Sequence, residues 1–175
     1  LLNNRGNGIH PNCKVWRAPK GQKKKAKVGR IIQPKSPPIS FVVSKLAERN
    51  MLPAIYFIFS RRGCDKAIEH IKDLSLVSYS EANLISQRLD VYLKNNEEGL
   101  KDKFHCEALK RGIASHHAGL LPAWKELVEE LFQKGLIKVV FATETLAAGI
   151  NMPARTTVIS TLSKRTEEGH RLLFS

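Results

Sequence analysis

From residue 39 onward the apolar positions follow two clear periods, while residues 1–38 follow neither. AIYFIFS, residues 54–60, is an unbroken apolar and aromatic run of strand length, which predicts a strand covered on both faces. RRGCDKAIEHIKDL follows at once, and its Cys64, Ala67, Ile68, Ile71 and Leu74 trace one helical face. A strand passing straight into a helix predicts a βα unit. Upstream, Ser40 is placed to cap a helix whose apolar positions are Phe41, Val42, Leu46 and Ala47, with Asn50 and Pro53 as its stop. Residues 79–93 and 101–111 predict two less regular helices, separated by Asn95, Asn96 and Gly99. GIASHH predicts a short strand. Next, Pro122 opens a helix with Trp124, Leu127, Val128 and Leu131 as its buried stripe, and Gly135 is placed to end it in a left-handed cap. IKVVFAT and TTVISTL predict two further strands.

Strands alternating with helices imply an α/β fold with a mostly parallel sheet, and no internal repeat is present. In such sheets ligands bind beyond the carboxyl ends of the strands, where the loops converge. This directs attention to SRRG, SHHAGL and ATETLAAGIN. Residues 1–38 carry many Gly and Pro and few paired apolar positions, so they are expected to be an arm or linker, partly disordered, ahead of a domain over residues 39–175.

Charge sharpens that division. The net charge is +13, yet residues 1–47 hold eleven Lys or Arg and no acid, while the remainder holds 18 basic and 16 acidic groups. A basic arm on a near-neutral body suits contact with a polyanion; a solvated linker is the other reading of a run such as KGQKKKAK. The 175 residues suffice for one domain. Cys13, Cys64 and Cys106 are single and far apart, which argues against a disulfide framework and against zinc. No run reaches the roughly 18 apolar residues of a membrane span and the start has no signal-peptide core, so an intracellular piece with no membrane partner is expected. The start at Leu1 suggests a fragment.

The loops offer binding chemistry rather than catalysis. Ser60, Arg61 and Arg62 can grip phosphate oxygens, or else cap a helix and stand in solvent. Adjacent His116 and His117 should point to opposite faces of the sheet, and no carboxylate or cysteine pattern accompanies them, so backbone presentation through Ala118 and Gly119 is favoured over a metal site. Thr143 is placed to cap a short helix over residues 144–148, its amide and hydroxyl at a helix N-terminus. Glu144 suits the helix dipole but would repel a phosphate, so it is expected to pair with an arginine or the capping amides. Gly149 permits a positive φ and a close ligand approach, and Asn151 suits a sugar hydroxyl.

These same segments carry a family resemblance. ATETLAAGINMPA resembles motif V of the superkiller-type DExH-box RNA helicases, AIYFIFSRRGCD resembles their motif IV, and GIASHHAGLLPAWKELVEELFQKGLIKVVFATE matches the connecting segment with its HHAGL signature. The resemblance covers residues 39–163 and is closest to the cyanobacterial and chloroplast members. It implies a three-layer RecA-like, P-loop NTPase-type domain, the second of two lobes in an ATP-dependent superfamily 2 helicase. It further implies that Ser60, Arg61, Arg62, His117, Ala118, Gly119, Thr143 and Glu144 meet nucleic acid, and that Gly149 and Asn151 approach ATP. The chain has no GxxxxGK[ST], no DExH sequence and no QxxGRxGR after Ser163. The domain is therefore expected to stop short of its last motif, with ATP and Mg held mainly by an absent first lobe. Single-stranded RNA or DNA and that first lobe are the implied partners, in the cytoplasm or, for a plastid member, the chloroplast stroma. A non-catalytic RNA-binding module that relies on the basic arm is the alternative, and an α/β enzyme using His116 or His117 is a third reading.

Overall fold

The computed structural model describes residues 36–96, 102–147, 152–161, 163–166 and 169–172. The arm expected over residues 1–38 falls almost wholly outside the described residues, as do Gly99, Gly149 and Asn151.

Helix α1 (Ile39–Glu48) starts one residue before Ser40, with Pro38 as its N-cap and the Pro38 carbonyl accepting from the Val42 amide at 3.1 Å. Ser40 therefore lies inside the helix and does not cap it. Proline has already fixed its own φ, so the chain enters the helix without a side-chain cap. The apolar stripe moves accordingly: Ile39, Val42 and Val43 pack inward, while Phe41 is 55% exposed and lies under Lys45. Asn50, just past the end, takes a left-handed φ of 55° as a helix stop requires.

Strand β1 (Ala54–Phe57) runs into α2 (Arg61–His70), where Ser60 accepts a hydrogen bond from the Gly63 amide at 3.2 Å. Cys64, Ala67, Ile68 and Ile71 are all buried, the face predicted for them. Helix α3 (Tyr79–Asn95) opens on a capping box made by Ser78 and Glu81, and α4 (Lys103–Lys110) follows. Then come β2 (Ile113–His116), α5 (Pro122–Gln133) and β3 (Val139–Ala142). Pro122 takes the first position of α5 and Gly135 has φ 69° beyond its end, both as predicted. A 3-10 turn (Glu144–Ala147) stands where a helix was expected over residues 144–148, residue 148 lying outside the described residues, and β4 (Thr156–Ile159) follows. Strands β5 (Ser163–Thr166) and β6 (Gly169–Leu172) form an antiparallel pair that the sequence did not announce. SKRT and GHRL hold a single apolar residue between them, so neither period is visible.

The main sheet has the order β2-β3-β1-β4 and is parallel throughout. On one face Tyr56, Ile113, Val139 and Phe141 pack against α1 and α2; on the other Ile55, Ala114, Val140 and Ala142 pack against α3 and α5. This is the three-layer α/β arrangement expected. Helix α4 contributes Ala108 to the first cluster and Leu109 to the second, and so closes the β2 edge. Arg88 of α3 grips Glu130 of α5 with three hydrogen bonds of 2.7–3.1 Å, and Lys134 adds a fourth at 2.6 Å. The bidentate form binds the two helices of that layer together.

Candidate nucleic-acid interface

The parallel register aligns Phe57, Ala142 and His116 across β1, β3 and β2, so the three loops singled out from sequence leave the sheet side by side. The Ile58 amide still bonds to the Ala142 carbonyl at 2.9 Å, and the Thr143 amide to the His116 carbonyl at 3.3 Å. The loops then diverge. Helix α2, entered from β1, covers one face, whereas Leu146, Met152 and Ala154, reached from β3, pack on the other. Neighbouring strands whose connections leave for opposite faces form a topological switch point, the crevice where open α/β sheets hold ligands.

Arg61 and Arg62 stand exposed in the first turn of α2 with no acidic residue beside them in that turn, and neither makes an ion pair among the described residues. Cations at the positive end of a helix dipole are misplaced by roughly 0.3–1 kcal/mol each. A phosphate on this rim would be met by both the helix end and the guanidinium groups, which makes the pair a candidate binding feature. Ser60 caps the same helix, so the capping reading of its hydroxyl holds. The Arg61 side chain runs beside Gly119: a Cβ added to Gly119 would lie 3.5 Å from Arg61 Cδ. The loops after β1 and β2 thus meet.

The two histidines do point to opposite faces, and both are 4% exposed. His116 Nε2 faces Glu129 of α5 at 2.7 Å, and its Nδ1 is buried with no hydrogen-bond partner. His117 Nε2 faces Asp65 of α2 at 3.1 Å, while its Nδ1 accepts from the Gly119 amide at 3.1 Å. Both ring nitrogens of His117 are occupied within the protein, and the exposed groups of that loop are Ala118 and Gly119. Asp65 and Glu129, which sequence reasoning missed, are what hold the pair. The only sequence signal was the position of Asp65, one turn after Arg61 in a helix aimed at this edge.

Thr143 is 9% exposed and its amide is already bonded to His116, so that amide is not available to an anion as the sequence suggested. The parallel register extends one bond past the strands and claims it. Glu144 is exposed at the start of the 3-10 turn. Gly149 and Asn151 lie outside the described residues. Cys64 and Cys106 are buried thiols outside any disulfide, and burial, helped by the neighbouring Asp65, pushes Cys64 up to about 12. Such a thiol stays protonated at neutral pH and is chemically inert. Among the described residues no set of His, Cys, Asp and Glu side chains is arranged to hold a metal ion.

A parallel three-layer sheet with polar loops gathered at the carboxyl ends of its strands defines an α/β domain of the kind that binds ligands along that edge. The model of the helicase conserved C-terminal domain matches residues 76–170, and the chain belongs to that family. Relatives named as DExH-box and superkiller proteins are among its matches. It is 49% identical over 141 residues, 81% of this chain, to the DExH-box ATP-dependent RNA helicase DExH15, chloroplastic, of Arabidopsis thaliana. It is 47% identical over 135 residues, 74% of this chain, to the probable helicase HelY of Mycobacterium tuberculosis, and 38% identical over 136 residues, 75% of this chain, to the antiviral helicase SKI2 of Saccharomyces cerevisiae. The matched regions are 12%, 15% and 11% of those relatives, so the chain spans a small part of their length.

Proposed function

We propose that the chain is the second RecA-like lobe of an ATP-dependent RNA helicase and that its own task is to hold single-stranded RNA while the parent protein couples ATP hydrolysis to movement along the strand. The observation that carries this is the switch point: Arg61 and Arg62 stand exposed at the start of α2 with no ion pair among the described residues, and the Arg61 side chain lies beside the exposed Gly119. Ser60, Thr143 and Glu144 complete the strand-facing rim, and His117 supports it from beneath. Gly149 and Asn151 face ATP, which together with Mg is held mainly by a first lobe, the natural protein partner. Residues 1–38 form a basic arm or inter-lobe linker, and residues 39–175 form the lobe. The names of the relatives support the helicase reading. No helix among the described residues is long and apolar enough to cross a membrane. Of the two expected locations, cytoplasm and chloroplast stroma, the relative named as chloroplastic supports the stroma.

Because the chain has no GxxxxGK[ST] or DExH sequence, we expect it to bind RNA without hydrolysing ATP. Binding to a fluorescent oligouridylate over a salt series, with an ATPase assay alongside, tests both statements. Each of Arg61→Ala and Arg62→Ala should weaken binding and reduce the salt slope by about one, the signature of a lost phosphate contact. Slopes equal to that of the unaltered chain, or ATP turnover by the pure chain, would overturn the assignment.

A further inference from the structure

One carboxylate oxygen beneath the proposed RNA-facing loop collects three donors. Asp65 Oδ1 faces His117 Nε2 at 3.1 Å, His105 Nε2 at 3.1 Å and Ser115 Oγ at 3.4 Å. A carboxylate only accepts, so each ring nitrogen facing it carries a proton. For His117 this leaves Nδ1 as an acceptor, and the Gly119 amide donates to it at 3.1 Å. His105 is held from its other side, where Nδ1 lies 2.7 Å from both oxygens of Asp102, the N-cap of α4. A continuous chain of hydrogen bonds therefore runs from the start of α4 through Asp65 to the backbone at Gly119.

Arg61 and Asp65 are one helical turn apart on α2, a spacing at which opposite charges ordinarily pair. They form no ion pair here; Asp65 Oδ1 takes the two imidazole N–H groups instead. Burial alone would raise the Asp65 carboxyl, but hydrogen bonds from His117 and His105 outweigh it and hold the group below the ordinary aspartate value, as an ionised acceptor requires.

We propose that Asp65 is the positioning residue of the loop after β2: it orients the His117 ring, the ring fixes the Gly119 amide, and the Ala118–Gly119 backbone is presented beside an Arg61 left free to meet a strand phosphate. This rests on the reading of that loop as RNA-facing. The relay itself does not depend on RNA, which allows the two to be tested apart.

The test uses the whole chain, its histidine rings followed by nitrogen NMR and its binding of a fluorescent oligouridylate by anisotropy. In the unaltered chain His117 should show a single neutral tautomer with the proton on Nε2. Asp65→Ala should lose that signature, shift the Gly119 amide and weaken RNA binding about tenfold, the equivalent of one lost charge-assisted hydrogen bond. Asp65→Asn keeps an acceptor oxygen, so it should restore the signature and bring affinity back to within about threefold. It also serves if the alanine variant fails to fold. A His117 signature unchanged in the folded Asp65→Ala chain, with only the thermal midpoint lowered, would show a merely structural aspartate and overturn the proposal. So would a lost signature with unchanged RNA affinity. If the unaltered chain binds no RNA, the functional reading falls, and the ring signature in Asp65→Ala still decides whether the relay exists.

Discussion

Gly63 stands where α2 turns back over the end of β1, and the closeness of that turn can be measured by filling it. A Cβ at Gly63 would lie 2.7 Å from Ile58 Cγ2 and 3.2 Å from Ser60 Cβ, against about 3.5–4.0 Å for comfortable carbon contacts. Two effects oppose each other in Gly63→Ala. Replacing glycine within a helix gains roughly 0.5–1 kcal/mol, whereas forcing a methyl into a packed site costs typically 1–3 kcal/mol. Since Cγ2 of a β-branched residue cannot swing away without turning χ1, overpacking should win, with a net loss of about 1–2 kcal/mol. The contact that decides the sign belongs to Ile58. In an Ile58→Ala background that methyl is absent, only the milder Ser60 contact remains, and the same substitution should be neutral or stabilising by about 0.5 kcal/mol. Urea unfolding of the four chains of this cycle measures the coupling, expected at about 1–2 kcal/mol. Equal losses in both backgrounds would refute the steric argument. RNA binding by Gly63→Ala should also weaken, because displacing the start of α2 moves Arg61 and Arg62 together.

Glu130 supplies a prediction with a defined pH window. Hydrogen bonds from Arg88 and then Lys134 outweigh its modest burial and lower its carboxyl from the ordinary 4.5 to about 2. A depressed carboxyl contributes stability that is fully present above about 4.5 and is lost as pH falls through about 2. The denaturation midpoint should fall across that window, less steeply in Glu130→Gln, and the difference should shrink at high salt because Arg88 is well exposed. Identical pH profiles for the two chains would contradict this account. In the core, Phe132 is fully buried among the residues that join α5 to the sheet, so Phe132→Ala should cost about 3–5 kcal/mol in the same urea assay. A loss below about 1 kcal/mol would mean that the site collapses around the cavity.

Much of this architecture was legible because it follows from short-range patterns. Strands β1 and β3 lie inside the sheet and are apolar on both faces, so their runs are unbroken; β4 has the alternation of an edge strand. Ser60, Pro122 and Gly135 did at the helix ends what a capping hydroxyl, a fixed φ and a missing Cβ dictate. Ser40 misled because a serine ahead of an apolar run is a cap signal only if the helix starts after it, and Pro38 started it earlier. The amide of Thr143 was misjudged for a related reason. Its partner, the His116 carbonyl, belongs to a strand 27 positions earlier, and no local pattern reports that the ladder continues past the strand end.

The site was legible as three loops but not as a mechanism for holding them, and the histidine pair shows the physical reason. HHAGL reads as two titratable side chains next to a flexible glycine, which invites a contact role for the rings. The pleat sends His116 toward α5 and His117 toward α2, and what awaits each is fixed by packing between segments far apart in sequence: Glu129 on one side, Asp65 on the other. The loop after β2 is thereby tied to both helical layers at consecutive residues. A loop anchored to one helix would follow that helix when it shifted; anchored to both, it takes its position from the sheet between them. A phosphate held at Gly119 and Arg61 would thus be fixed relative to the crevice at the carboxyl ends of β1 and β3, where the chemistry of a nucleotide would have to be felt. Both nitrogens of the His117 ring are engaged, by Asp65 and by the Gly119 amide, so the ring can hold the backbone but offers no nitrogen of its own to a phosphate.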